Sequence, residues 1–182
     1  PNNDNRGVKW PTDKANPRPV NLHGQILRWN EKDADPTATA FTWEVFLLAG
    51  EQPGAKDPSG QPVPPNLTGT INGDIFSSPD GLAFDEAGRL WIETDYGDEE
   101  AAMQAMGTNQ LLCADPRTRE VRRFLVGPRG CEITGITWSS DYRAMWINIQ
   151  HPELSFPASD GKTRPRSSTV LITKNDGGVI GT

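Results

Sequence analysis

What this chain lacks narrows it first. It holds only 2 cysteines in 182 residues, Cys113 and Cys131. Neither belongs to a CxxC pair, so a zinc ribbon or a redox dithiol has no framework; the count allows a disulfide without demanding one. There is no apolar run of the roughly 18 residues a membrane helix needs, no signal peptide and no lipidation motif, so no compartment is marked. Basic residues are outnumbered, with Lys+Arg 18 against Asp+Glu 24 and a net charge of -6. A surface that tracks phosphodiester backbones wants the opposite sign, which argues against a nucleic-acid partner. No GxSxG, HExxH or phosphate-cradling glycine loop occurs. The chain begins on Pro1 without a methionine, as a processed product or an excised piece would.

Apolar residues are also scarce, at 35%, whereas glycine (18) and proline (16) are plentiful. That mixture suits many short strands joined by ordered loops better than a helical bundle. Six tryptophans argue against disorder, because chains that cannot bury large aromatics rarely carry them.

The most informative stretch is Ser78-Pro79-Asp80-Gly81-Leu82-Ala83-Phe84 followed by Asp85-Glu86-Ala87-Gly88 and then Arg89-Leu90-Trp91-Ile92. Leu82 and Phe84, then Leu90 and Ile92, alternate with small or polar residues around a polar turn closed by glycine. This predicts a β-hairpin with one buried face and the carboxylate of Asp80 at its mouth. Further strands are predicted at 24–30, 40–48, 109–115, 121–126, 133–138, 144–149 and 168–173, and residues 1–23, 50–77, 95–108 and 150–167 read as irregular.

These pieces repeat. Gly81-Leu82-Ala83-Phe84 matches Gly135-Ile136-Thr137-Trp138 at an offset of 54, and Leu90-Trp91-Ile92 matches Met145-Trp146-Ile147 at 55. Each unit is two inner strands, an irregular loop and two outer strands. A four-stranded antiparallel unit recurring about every 50 residues is the signature of a propeller blade. The expectation is an all-β, partial β-propeller over 1–182: outer strands of one blade at 24–50, a second blade at 79–127, and a third at 131–181 that ends on the short tail Gly178–Gly181. That is about two and a half blades of a larger propeller.

In such a meander the entry to the first strand and the connection between the second and third lie at one end. That end would collect Asp80, Glu132, Asn2, Asn3, Asp95, Asp98, Glu99, Glu100, His151 and Glu153. Hard cations such as calcium take oxygen ligands of this kind from several loops. Each residue also has a plainer reading. Asp80 could cap turn amides, and Glu132, just before a buried strand, must be paired or ligating. Asp98-Glu99-Glu100 fits a solvated helix start, and His151 a structural hydrogen bond. Arg129 could meet an anionic substrate or bond carbonyls, and Trp91, Trp138 and Trp146 suit packing between blades.

Several segments carry a family likeness: Gly73-Asp74-Ile75-Phe76 onward to Asp95; Gly127-Pro128-Arg129-Gly130-Cys131-Glu132-Ile133-Thr134-Gly135; Asn148-Ile149-Gln150-His151-Pro152; and Asp176-Gly177-Gly178-Val179-Ile180-Gly181. With Asn2-Asn3 and Gly24-Gln25-Ile26-Leu27-Arg28-Trp29, they resemble the carboxy-terminal part of PhoX-type alkaline phosphatases. The resemblance implies a six-bladed propeller, exported by the twin-arginine route to the periplasm or beyond, with iron and calcium in a central funnel acting on a small phosphate ester. Asp80 and Glu132 match the family's metal-site acids, on the calcium side, and Asn3 matches more weakly. The family's iron-binding cysteine and its arginine–x–glutamate element would precede Pro1, and neither Cys113 nor Cys131 falls where that cysteine belongs. The resemblance thus implies partial metal ligation, completed by the remainder of the same propeller chain. Two other readings stay open: a calcium-dependent lactonase, whose hairpins also carry Pro-Asp-Gly, and a non-enzymatic binding propeller stabilised by calcium.

Overall fold

The computed structural model describes residues 12–97, 104–152 and 156–182. It forms two compact units, meeting in sequence between Ser78 and Pro79. Each is treated separately.

In the first unit, β1 (Gln25–Glu31) pairs antiparallel with β2 (Phe41–Leu48), with Trp29 opposite Trp43 and a bulge between Ile26 and Leu27. A 3-10 turn at Lys32–Ala34 joins them. Residues 12–23 contain no strand, yet they are tied in by Arg18. Its buried guanidinium donates to the carbonyls of Ala49, Thr68 and Gly24 and to Asn21 Oδ1. Four acceptors around one cation satisfy backbone groups that a strandless segment would otherwise leave unpaired. The long segment after β2 is ordered by a two-residue strand β3 (Asn72–Gly73) and by isolated bridges Glu51–Thr68 and Lys56–Pro62.

The second unit holds two antiparallel sheets. β4 (Pro79–Phe84), β5 (Leu90–Thr94), β6 (Gln110–Ala114) and β7 (Glu120–Val126) form a meander. β8 (Glu132–Trp138), β9 (Ala144–Gln150) and β10 (Ser168–Thr173) form the next. The turns follow from short polar side chains that mimic backbone acceptors. Asp85 Oδ1 accepts the amides of Ala87 and Arg89, and Asp115 Oδ1 accepts that of Arg117. Between the two sheets Trp91, Leu111, Cys131, Ile133, Met145, Ile147, Ile149 and Ile180 make one apolar core, with Trp138 packed against it. Trp91 meets Trp138 edge-on at 6.0 Å and Phe124 at 5.0 Å, the arrangement aromatic quadrupoles favour. Trp91 and Trp138 are therefore packing residues between sheets, as their strand positions suggested; Trp146 lies outside this cluster.

The architecture is all-β, without an α-helix among the described residues. Two strands of one blade, four of the next and three of a third are present, so the chain is a partial β-propeller. Two details depart from the sequence reading. Leu82 and Phe84 pair with Ile92 and Leu90 but are 48% and 63% exposed, because β4 is the edge strand of its sheet, whereas β5 and β6 inside it are buried along nearly all their length. The tail Gly178–Gly181 is no strand: it turns back, with the Ile180 amide on Tyr142 O and the Ile180 side chain buried in the core. The disulfide that the cysteine count left open is not formed between Cys113 and Cys131.

Candidate functional site

Antiparallel pairing dictates which acids can meet. Pro79 at the start of β4 lies opposite Thr94 at the end of β5, so Asp80 and Asp95 emerge at the same end of that sheet. Glu132 at the start of β8 lies opposite Gln150 at the end of β9, with His151 next in sequence. β8 packs against β4 and β5, and Asp80 and Asp95 lie within electrostatic reach of Glu132.

Glu132 is the centre of this group. It is buried, and its Oε2 accepts from Gln150 Nε2 and lies 3.1 Å from His151 Nε2. His151 is itself held by its amide, which donates to Ser167 Oγ at 2.9 Å. Burial raises the Glu132 carboxyl above the ordinary glutamate range, and the charges of Asp95 and Asp80 push it the same way; His151 only partly opposes them. A buried acid with further carboxylates close by marks a site where negative charge gathers and is only partly neutralised.

A fourth carboxylate escaped the sequence reading. Glu93, the fourth residue of β5, is buried, and its carboxyl is pushed up to about 7. Burial is the main cause; the amide of Ile136 opposes it, and Asp80 and Glu132 add to it. Its Oε1 accepts from the Ile136 amide at 2.9 Å. The blade repeat held the signal that could have found it. Carried one residue past Trp91-Ile92 and Trp146-Ile147, the match aligns Glu93 with Asn148, a polar residue at the same place on both second strands.

Of the residues singled out from sequence, Asp80, Asp95, Glu132 and His151 converge in this way. Asn2, Asn3, Asp98, Glu99, Glu100 and Glu153 lie outside the described residues. Arg129 lines an open cleft of about 250 Å³ with Gln104, Gly107 and Thr108.

The donor set suits a hard cation in part. Asp80, Asp95 and Glu132 offer carboxylate oxygens, as calcium prefers, but among the described residues no three His, Cys, Asp or Glu side chains are placed to hold a metal ion. Neither cysteine is placed as an iron ligand: Cys131 is buried in the apolar core, and burial raises the Cys113 thiol to about 11.

Consecutive antiparallel meanders sharing an interleaved core, with acids gathered where one end of each sheet meets the next, define a fragment of a β-propeller protein. The model of the family described as alkaline phosphatase PhoX matches residues 1–153. A solved structure, Pseudomonas fluorescens PhoX in complex with vanadate, a transition state analogue, is 42% identical and superposes with a TM-score of 0.83 over 99% of this chain. This chain belongs to the PhoX alkaline phosphatase family. It covers 31% of the length of that solved structure. No curated protein matches it.

Proposed function

We propose that this chain is the part of a PhoX-type phosphatase that supplies acids to a calcium site, in a protein that hydrolyses small phosphate monoesters. The observation that carries the reading is the gathering of Asp80, Asp95 and Glu132 at one end of two adjoining sheets, where burial first and the two neighbouring acids after it raise the Glu132 carboxyl. It gains weight from family membership and from likeness to a protein captured with a transition-state analogue.

In this reading Asp80 and Glu132 are the ligands, with Asp95 at the same end of the sheets; Asn3, the weaker family match, is proposed as a ligand from the resemblance alone. Gln150 and His151 hold the Glu132 carboxylate in one orientation, because both bond the same oxygen. When bound, a divalent cation offsets the charge that develops on the phosphoryl oxygens. Arg129 presents a planar fork suited to an anionic phosphate, in a cleft whose other walls are Gln104, Gly107 and Thr108. Iron, its cysteine ligand and the arginine–x–glutamate element belong to the remainder of the same chain, as does closure into six blades. Export to the periplasm or beyond goes with the family reading, and no described helix is long and apolar enough to cross a membrane.

The test is an assay of the full-length protein on a generic phosphomonoester, with calcium and iron supplied and then chelated. Metal-dependent release of inorganic phosphate supports the reading. Lactone hydrolysis without phosphomonoesterase activity would overturn it in favour of a lactonase.

A further inference from the structure

The first strand of each inner hairpin carries a bulge, between Pro79 and Leu82 in β4 and between Thr134 and Thr137 in β8. A glycine sits in each, and a polar side chain from the next strand occupies the space a Cβ would need. A Cβ on Gly81 would stand 2.1 Å from Glu93 Oε2, and one on Gly135 would stand 2.2 Å from Asn148 Nδ2. The slot is the same in both blades, but its occupant differs. Asn148 turns its oxygen to Thr169 Oγ1, 2.8 Å away within its own sheet. Glu93 instead reaches out of its sheet, and its Oε1 accepts the Ile136 amide from the bulge of β8. A neutral amide therefore suffices to fill the slot, and the second blade spends a buried acid there for the reach to the next sheet.

That reach links the two strands bearing the candidate ligands. Gly81, against which Glu93 packs, directly follows Asp80. The bulge that Glu93 grips begins two residues after Glu132. We propose that Glu93 is a positioning residue that locks the bulges of β4 and β8 together and so sets the spacing of Asp80 and Glu132 for calcium. This rests on the calcium-site reading above. Glu93 touches no substrate in this scheme; it acts through the backbone of two neighbouring strands.

The experiment uses the full-length protein with calcium alone as probe, following the rise in melting temperature as calcium is titrated. Four variants are compared: E93Q, E93A, G81A and G81A/E93A. Gln retains the oxygen that accepts the Ile136 amide, so E93Q keeps the calcium midpoint within a fewfold of wild type. E93A releases the bulges and weakens the midpoint by roughly 10-fold or more, the usual scale for losing a residue that orients metal ligands. G81A drives a methyl group into the carboxylate and produces a similar loss. In the E93A background the carboxylate is gone and the nearest remaining atom of residue 93 is its Cβ, 3.2 Å from the new methyl group, so G81A adds little further; contacting residues couple in this way and independent ones do not. A merely structural Glu93 would lower the melting temperature of the calcium-free protein and leave the calcium midpoint unmoved.

An unchanged midpoint in E93A, or a G81A loss that adds fully to that of E93A, overturns the proposal while leaving the calcium site standing. Should E93A not fold, E93Q against G81A decides: retention in the first and loss in the second support the proposal, and equal midpoints overturn it. A wild-type protein indifferent to calcium overturns the site reading, and this proposal with it.

Discussion

The indole Nε1 of Trp91 donates to Asp85 Oδ2 at 2.9 Å, joining the largest buried side chain to the turn that opens its own strand. Asp85 Oδ2 also takes the Arg89 Nε at 2.7 Å, and Oδ1 takes two turn amides. Burial pushes this carboxyl up, but the bonds from Trp91 and Arg89 and the Arg89 charge outweigh it and hold it below the usual range. Arg89 in turn donates to the carbonyls of Ile180 and Gly181, so one carboxylate indirectly anchors the chain's tail. Replacing Asp85 by alanine strands a buried indole N–H and an arginine. We expect a loss of about 2–4 kcal/mol, read as a lowered urea midpoint with an unchanged slope.

His23 gives the fold an acid limit. It is wholly buried, and burial, helped by the Arg18 charge, lowers its value to about 4. The folded state thus refuses a proton that the unfolded chain accepts near pH ~6.5. Its contribution is complete above the unfolded value and is lost as pH falls from there toward 4, by up to about 3 kcal/mol. Stability measured from pH 7 to pH 4 should fall less steeply in H23Q than in wild type.

The thiols should be silent in the native state. Cys131 is 1% exposed, and burial raises Cys113 to about 11, only partly opposed by Arg89. Thiolate, the reactive form, is therefore scarce at Cys113, and burial closes Cys131 to reagent. A disulfide-exchange reagent at pH 8 should label neither quickly, and both once the protein is unfolded in denaturant.

Gly127 is a packing requirement. A Cβ there would lie 2.6 Å from Cys131 Sγ and 2.8 Å from Ile133 Cδ1, both in the shared core. G127A should cost about 1–3 kcal/mol, as overpacking does, while G88A, with nothing near its Cβ, loses only through its φ of +75. Thermal melts of the pair separate crowding from backbone strain.

Much of this was legible from residues alone. Strands β4 to β10 fall within a residue or two of their predicted places, because alternation and Asp- or Gly-bearing turns are local signals. The match of Gly81 to Gly135 likewise exposed the blade period. What escaped depends on neighbours. Leu82 and Phe84 follow the right period, but their exposure is set by which sheet faces them. Ile180 reads as a short strand, yet it serves as a core plug held by Tyr142 and Arg89. Glu93 lies in a strand buried on both faces, where pattern alone predicts an apolar residue. Arg18 and His23 sit in a segment without periodicity, and only their long-range partners show that they belong to a core. At the candidate site, Asp80 and Glu132 could be named from sequence, whereas Gln150, Glu93 and the pressure of Asp95 required the assembled sheets.

The central claim is that Asp80 and Glu132 serve turnover through a bound cation. The most direct measurement is phosphomonoester hydrolysis by the full-length protein and its D80N and E132Q variants, each with its melting temperature. Both substitutions keep shape and remove one charge. The account predicts a loss of roughly 100-fold in kcat/KM, the scale of removing one stabiliser of developing charge, in protein that still melts cooperatively near the temperature of the calcium-free wild type. Wild-type turnover in both variants would contradict it.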